Sequence, residues 1–375
     1  MTRSLNQKNS IEEKIMSFRI ALTIAITFFY SSAFAGALDR SGQPLDALFH
    51  KGGYAEFSFG SVDPSVSGSV VGRESGDMAD DYTQMGAAYK LDLNEKWSFA
   101  LVYDQPYGGN VKYPSGSTYP FTGSTAVLKS NGLTVIPRFR ISDRFSVYGG
   151  IRGQTLNANI GIPAVSNYKG EARQDEGFGY VVGASVENPE IGLLVHLTYG
   201  SSIEHKHQTT ETSTALGATP DSVTDIETPQ SVNFTFRTGV ATDTLLFGGI
   251  RWVNWSDFAI TPRDYKLITK KSILSYDNDV NTFSLGIGRR LTPNFAMSFT
   301  VGYEASEGEL VSNLGPTDGR TGFTLGLRYE TGNMIISGGL NYTMAGDAKT
   351  NAVIGTSSFE DNDAIGVGIK LGLRF

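Results

Sequence analysis

Hydrophobic and polar residues alternate with a period of two along most of the chain. The final segment shows this most clearly, because every second residue from Ile365 to Phe375 is apolar and the residues between them are glycine, lysine or arginine. Segments that start at Trp97, Phe295 and Phe323 repeat the pattern. Since neighbouring side chains of a strand point to opposite faces, these runs predict strands with one apolar and one polar face.

Fourteen segments of this kind follow one another after residue 52. We predict strands near 53–61, 81–91, 97–104, 126–141, 145–157, 176–187, 191–205, 230–241, 244–255, 279–290, 295–305, 319–330, 333–344 and 363–375. An even number of antiparallel strands of about ten residues is typical of bacterial outer-membrane barrels.

The connections between these segments alternate strictly in length. Short turns lie at 92–96, 142–144, 188–190, 242–243, 291–294 and 331–332, and long links lie at 62–80, 105–125, 158–175, 206–229, 256–278, 306–318 and 345–362. Short periplasmic turns opposite long outer loops produce this asymmetry in membrane barrels, whereas a soluble sandwich does not require it. The sequence therefore predicts an all-β fold, a transmembrane antiparallel β-barrel of 14 strands at residues 53–375. We expect it in the bacterial outer membrane.

The N-terminus has the features of a secretory signal peptide. An apolar run from Ile20 to Tyr30 follows Lys14 and Arg19 and precedes Ala33-Phe34-Ala35. A basic region, a short apolar core and a small-x-small site predict cleavage after residue 35, which makes residues 1–35 the signal and Gly36 the mature start. Met1 and Met16 are both candidate initiators. The alternative, a membrane anchor, requires a longer apolar run than this one.

Composition narrows the function further. The chain has 22 Phe, 17 Tyr and 44 Gly, which suits strands and tight turns, and it has a net charge of −7 and no Cys. The mild acidity argues against a nucleic-acid partner. Aromatic residues near strand ends, among them Trp97, Tyr199 and Trp255, fit membrane girdles, although strands are enriched in aromatic residues in general.

Several stretches resemble the FadL-type family of outer-membrane transporters for long-chain fatty acids and other hydrophobic compounds. The similarity covers roughly residues 80–375 as an ordered series, and no single motif decides it. Its motifs are Gln105-Pro106-Tyr107-Gly108 after the third strand, Ile136-Pro137-Arg138-Phe139 before a short turn, Trp255-Ser256-Asp257-Phe258, and Thr317-Asp318-Gly319-Arg320. The resemblance implies passive, binding-site-mediated uptake, with fatty acids as the first substrate class and aromatic hydrocarbons as the second.

The resemblance also implies an N-terminal plug, or hatch, inside the barrel. Here only residues 36–52 precede the first strand, and they lack the Asn-Pro-Ala stretch usual in the family, so plug-based gating transfers only in part. The segment carries Leu38, Leu45, Leu48 and Phe49, followed by Lys51. Apolar side chains next to a cation suit an amphipathic ligand with a carboxylate head. Alternatively, these residues only pack the plug against the wall.

If the apolar faces meet lipid, the charged residues of the strands line the interior. We assign inward Glu56, Lys90, Asp104, Arg138, Arg140, Arg152, Glu187, His196, Arg237, Arg251, Arg290, Glu304, Arg328, Lys370 and Arg374. Lys or Arg on the lipid face at midplane costs about 2–4 kcal/mol. Most of these groups are expected to form interior salt bridges. Arg138, Arg140 and Arg152 are the candidates to receive a ligand carboxylate, which arginine binds through two hydrogen bonds.

The sequence offers no constellation for catalysis. It has no Gly-x-Ser-x-Gly elbow, P-loop or His-Glu-x-x-His motif. His205 and His207 are predicted to lie solvated at a loop edge, where a metal pair is the less favoured reading because no third ligand has recognisable spacing. We therefore expect no enzyme, no cofactor and no metal. The rival functions are a general diffusion porin, a barrel enzyme and an adhesin.

Three further expectations come with the family. Outer-membrane lipid and lipopolysaccharide should surround the barrel, and the C-terminal Phe375 resembles the signal that barrel-assembly machinery recognises. Substrate in this family is thought to leave sideways through a wall opening at a kinked strand. Pro137 or the pair Gly149-Gly150 could disturb a strand ladder in that way.

Overall fold

The structure is a computed structural model that describes residues 38–308 and 310–375. The predicted signal peptide, residues 1–35, and its cleavage site before Gly36 lie outside the described residues. In the described ranges, none of the helices has the length and apolar character that a membrane crossing demands.

Fourteen long strands form one closed sheet. They are β1 (Tyr54–Ser65), β2 (Tyr82–Asp92), β3 (Trp97–Asp104), β4 (Thr125–Arg140), β5 (Phe145–Ile162), β6 (Tyr168–Asn188), β7 (Leu193–Gly200), β8 (Ser231–Ala241), β9 (Thr244–Val253), β10 (Val280–Arg290), β11 (Phe295–Glu304), β12 (Arg320–Thr331), β13 (Met334–Ala345) and β14 (Asp363–Arg374). Each strand pairs antiparallel with the next, and β14 pairs with β1 from Tyr54↔Arg374 to Ser65↔Asp363. The predicted fourteen-stranded antiparallel barrel is confirmed.

The two faces of the wall differ as the alternation predicts. On β14, Ile365, Val367, Ile369, Leu371 and Leu373 are each about half exposed on the outer face, whereas Lys370 between them is buried. Membrane lipid is the environment that covers such an outward apolar band in a barrel of this kind. Many charged strand residues, such as Arg152 and Lys370, are buried inside the barrel. Salt bridges such as Lys370–Glu56 at 3.2 Å compensate their burial.

The long links are more ordered than the sequence predicts. Strand β5 is predicted to end near residue 157 but extends to Ile162, and β6 is predicted to start near residue 176 but starts at Tyr168. The two strands stay paired beyond the predicted edge of the barrel. The predicted strand at 191–205 ends at Gly200, and an outer hairpin follows. Backbone groups that would otherwise need water are satisfied by this continued pairing.

The remaining elements lie in the outer part or in the N-terminal segment, and all but Ile203–Ser213 are short. The strands are Gly68–Val70, Arg73–Glu74, Gly108–Lys112, Ile203–Ser213, Gly217–Ala218, Ser222–Thr228, Ala259–Ile260, Leu274–Ser275, Leu310–Val311, Ala348–Ala352 and Gly355–Phe359. An α-helix, α1, spans Arg263–Thr269, and 3-10 turns span Asp46–Phe49 and Trp255–Asp257.

Candidate functional site

The N-terminal segment, residues 38–53, lies inside the barrel and is called the plug segment below. Its outer end is held where Asp39 pairs with Tyr107 and where the Asp39 carboxylate accepts a hydrogen bond from Arg251 Nε at 2.5 Å. Its inner end continues into β1 at the side of the short turns, where the amide of Gly53 donates to the carbonyl of Phe375. The segment therefore runs along the lumen.

The inner half of the plug segment packs on the wall through apolar and aromatic contacts. Leu48 is fully buried, and the Phe49 ring stacks on His196 with centroids 4.8 Å apart and meets Tyr148 edge-on at 5.8 Å. The Arg138 guanidinium lies 4.8 Å above the Phe49 ring. Burial of a leucine or phenylalanine side chain contributes about 1.5–3 kcal/mol, so this half of the segment is firmly docked.

Five residues of the plug segment are predicted to bind ligand, and the structure places them in three separate regions. Leu45, Leu48 and Phe49 belong to the inner cluster just described, and Leu38 belongs to a separate apolar cluster near the outer end. Lys51 is exposed at the inner end of the barrel. The apolar residues and the cation therefore do not form one amphipathic site.

The three candidate arginines all have acidic partners. Arg138 is bonded to Glu187 and donates to Ser146, and Arg140 donates to Asp92 at 3.1 Å. Arg152 donates to Asp104 at 2.7 Å and to the Thr134 hydroxyl at 3.0 Å. These contacts join side chains of different strands, so the arginines serve as interior scaffolding in this structure.

An apolar cavity of about 60 Å³ lies in the outer half of the barrel. The plug segment reaches it with Leu38, and aliphatic side chains of the wall and outer loops form the rest. Its lining includes Leu38, Val111, Ala126, Leu128, Ala158, Ile160, Ile260, Ile273, Leu274 and Leu314, with Asn159, Thr209 and Thr224 as polar members. Among the residues 38–308 and 310–375, none with a charged side chain lines the cavity. It therefore suits an uncharged, hydrophobic group.

The roof of this cavity is held by one buried carboxylate. Glu211 accepts hydrogen bonds from the backbone amides of Asp264 and Tyr265, at 3.0 and 3.1 Å, at the start of α1. Tyr168 donates its hydroxyl to the same side chain at 2.8 Å. Carboxylates are favourable at helix N-termini, so Glu211 fixes the loop that carries Ile260 and Ile273 over the cavity.

The wall opens between β2 and β3. β2 pairs with β1 from Tyr82 to Lys90, but it pairs with β3 only from Ala87 to Asp92, because the chain leaves the wall after Asp104. At this kink Tyr107 turns inward and is buried. The unpaired part of β2 is bridged by a side chain, since the amide of Met85 donates to Gln105 Oε1 at 2.8 Å.

A cavity of about 90 Å³ at this opening reaches both faces of the wall. Its lining includes the inward-facing Ser58 and Lys370 and the outward-facing Phe59 and Met85. Farther out, the sheet closes again through the amide of Asp80, which donates to the carbonyl of Asn110 at 3.2 Å. The opening is thus a bounded window in the wall.

The other two sites considered for a wall opening behave differently. The pairing of β4 with β5 skips the positions opposite Pro137, between Val135↔Ile151 and Arg138↔Tyr148. At Gly150, however, the strands approach so closely that an added Cβ would clash with the carbonyl of Val135. The missing ladder bonds therefore leave no gap there.

The prediction that His205 and His207 are solvated is wrong. Both side chains are fully buried on the inner face of the outer hairpin, with ring centroids 5.8 Å apart, because a separate strand, Ile203–Ser213, forms where the sequence predicts a loop. Burial, together with the nearby His207, lowers the pKa of His205 to about 4. Among the residues that the structure describes, no group of three His, Cys, Asp or Glu side chains is placed to hold a metal ion.

Comparisons with known proteins agree with this architecture. A family model described as outer membrane protein transport protein (OMPP1/FadL/TodX) matches residues 59–360. The structure of a Pseudomonas aeruginosa FadL homologue superposes with a TM-score of 0.71 at 13% identity, over 88% of this chain and 92% of that chain. The P. putida toluene transporter TodX gives a TM-score of 0.65 at 12% identity, over 88% and 91%.

A third similar structure is the Ralstonia pickettii toluene transporter TbuX, with a TM-score of 0.61 at 14% identity, over 88% of this chain and 91% of that chain. At such identities the likeness shows the fold alone. No curated protein matches the chain in a sequence comparison.

Proposed function

The chain belongs to the outer membrane protein transport protein family (OMPP1/FadL/TodX), and we propose that it takes up long-chain fatty acids through the apolar cavity. As a family member it is an outer-membrane transporter of hydrophobic compounds. The observation that carries the substrate proposal is the uncharged aliphatic lining above the plug segment. An alkyl chain gains about 0.8 kcal/mol for each methylene it buries in such a place.

The route continues along the kinked strand. Gly109 lines the apolar cavity, and Gln105, four residues earlier in the chain, bridges the window between β2 and β3. A substrate that leaves the cavity would follow this segment to the window. Release through the window would deliver a hydrophobic molecule to the membrane, where its transfer is favourable.

Small aromatic hydrocarbons are the second substrate class. The uncharged lining of the described residues suits them as whole molecules, whereas a fatty acid would place only its alkyl chain in this cavity and keep its carboxylate outside it. The names of TodX and TbuX as toluene transporters point in the same direction for those proteins.

Uptake assays on a knockout strain and its complemented strains test both classes. We expect Ala126→Trp, which fills the apolar cavity, to lower uptake of labelled oleate and of toluene by about tenfold or more, equivalent to about 1.4 kcal/mol. Val135→Trp places the same ring on the lipid face of β4 and is the matched control. Oleate uptake that persists in Ala126→Trp, while Val135→Trp is also unaffected, would refute the assignment of the cavity.

We also propose that uptake is passive and that the protein catalyses no reaction, since its sequence lacks the nucleophile and metal motifs of hydrolases. Ester hydrolysis by the purified barrel above a no-protein blank would contradict this proposal. We further propose that assembly machinery recognises Phe375, whose ring stacks on Tyr89 with centroids 5.7 Å apart at the end of the lipid face.

A further inference from the structure

The plug segment lies to one side of the lumen. The apolar cluster that includes Leu45, Leu48 and Phe49 draws its wall residues from β1–β7 and β13, for example Ile136, and it includes none from β8–β12. Between the other side of the plug segment and the wall of β8–β13 lies a third cavity, of about 170 Å³, called the polar cavity below. The plug therefore leaves part of the lumen open.

The polar cavity is long. On β12 it is lined by inward residues from Arg320 to Arg328, eight residues apart. Eight residues span about 27 Å along a strand, or about 20 Å along the barrel axis at the usual tilt. Since an ordered water needs at least about 10–15 Å³, the cavity has room for a file of on the order of ten waters. It extends through most of the depth of the membrane.

The lining of this cavity carries many more polar side chains than that of the apolar cavity, although carbon atoms still make up most of its surface. Hydroxyl and amide side chains recur on successive strands, namely Thr282, Ser284, Ser298, Thr300, Thr324 and Asn341. The arginines along it are balanced by acids, as in Arg251–Asp39 at 2.5 Å and Arg320–Glu304 at 3.3 Å. A hydrophobic ligand here would desolvate the hydroxyl groups without replacing their hydrogen bonds, which is unfavourable.

We infer that this side of the barrel is a second, hydrophilic path, along which water, small ions and small polar solutes pass the plug segment while it remains docked. Balanced charges give the path little preference for anions or cations. The hydrophobic route uses the opposite side, with its cavity on β4–β6 and its window between β2 and β3. The inference goes beyond hydrophobic uptake, and either function can be lost without the other.

Conductance of the purified full-length protein in planar lipid bilayers tests the inference. We expect the parent to conduct KCl, and Thr300→Trp, which fills the middle of the polar cavity, to lower the single-channel conductance at least about fivefold. The matched control is Phe299→Trp, because Phe299 neighbours Thr300 but is 46% exposed on the lipid face. Oleate uptake should be unchanged in both variants.

A cysteine variant guards against a folding defect in Thr300→Trp. The chain has no Cys, so Thr300→Cys can be assembled first and then modified with a bulky, water-soluble thiosulfonate. We expect modification to reduce the conductance, whereas Phe299→Cys should remain unmodified. A parent barrel that migrates as folded but does not conduct above the bare bilayer would overturn the inference. Conductance that is insensitive to Thr300→Trp and to modification at residue 300 would overturn it as well.

Discussion

Removal of one side chain should release the plug segment without unfolding the barrel. Leu48 is fully buried in the inner apolar cluster and takes no part in the strand ladder. Truncation of a buried leucine to alanine costs about 2–5 kcal/mol. If this cost falls on docking alone, Leu48→Ala increases the undocked fraction about 30-fold to several thousand-fold, at about 1.4 kcal/mol for each factor of ten.

A cysteine reporter makes the undocked fraction measurable. Ala47 is 3% exposed in the docked segment, so Ala47→Cys reacts with a polar thiol reagent only when the segment leaves the wall. When redocking is faster than the reaction, the labelling rate follows the undocked population. We expect Leu48→Ala to accelerate labelling at least about 30-fold, while unheated protein still migrates faster than heated protein on a gel.

The control for this experiment is Leu93→Ala, since Leu93 is 63% exposed in the turn between β2 and β3. It should leave the labelling rate unchanged. A rate increase below about threefold in Leu48→Ala would show that this leucine does not anchor the segment. Loss of heat-modifiable migration would refute the separation of plug docking from barrel stability.

Three further predictions concern the outer loop and the window. Glu211→Ala should speed tryptic cleavage within α1 about tenfold or more, because it leaves buried amides without an acceptor; unchanged cleavage would contradict the roles given to Glu211. Burial raises the pKa of Asp264, but hydrogen bonds from Thr219 and Arg263 outweigh it and leave that pKa below its usual value. The resulting stability is complete above the ordinary carboxyl pKa of about 3.9 and is lost as pH falls through the lower folded value. The hydrogen-exchange protection of the α1 amides should therefore be constant from pH 8 to 5 and fall only below about pH 4, unlike in Asp264→Asn. Finally, Ser58→Trp should fill the window and lower oleate uptake several-fold, with oleate binding unchanged. The control is Phe57→Trp, which faces the lipid; equal uptake by the two variants would exclude this exit.

The membrane part of the fold is predictable because lipid acts on every strand in the same way. An outward position has to be apolar, so alternation persists in β11 and β14 although the mean hydropathy of the whole chain is only −0.16. The outer hairpin at Ile203–Ser213 escapes this rule, since its sequence is polar on both faces and reads as a loop. For this reason the sequence predicts solvated histidines at positions 205 and 207, whereas the structure buries both.

The candidate site depends on contacts that sequence order does not reveal. Ala126, Ile160, Thr209 and Ile273 meet at one cavity only because the barrel closes and the loops fold over it. Likewise, alternation predicts which arginines point inward, but it does not predict their partners. The pairing of Arg152 with Asp104 depends on the strand register, which a single sequence does not specify. Pro106, two residues after the end of β3, is a sequence signal for the window. Pro137 suggests an opening that the structure does not have, because Gly149 and Gly150 let the neighbouring strand approach closely.

The ion pair between β1 and β14 favours the correct register where the barrel closes. A slip of one residue in this pairing turns the faces of a strand over and would carry Lys370 from beside Glu56 into the lipid, at a cost of about 2–4 kcal/mol at midplane. A slip of two residues keeps the faces but separates this pair in the interior. The same ion pair penalises both errors, so β14 can distinguish the proper register on β1 from a neighbouring one before the ring closes.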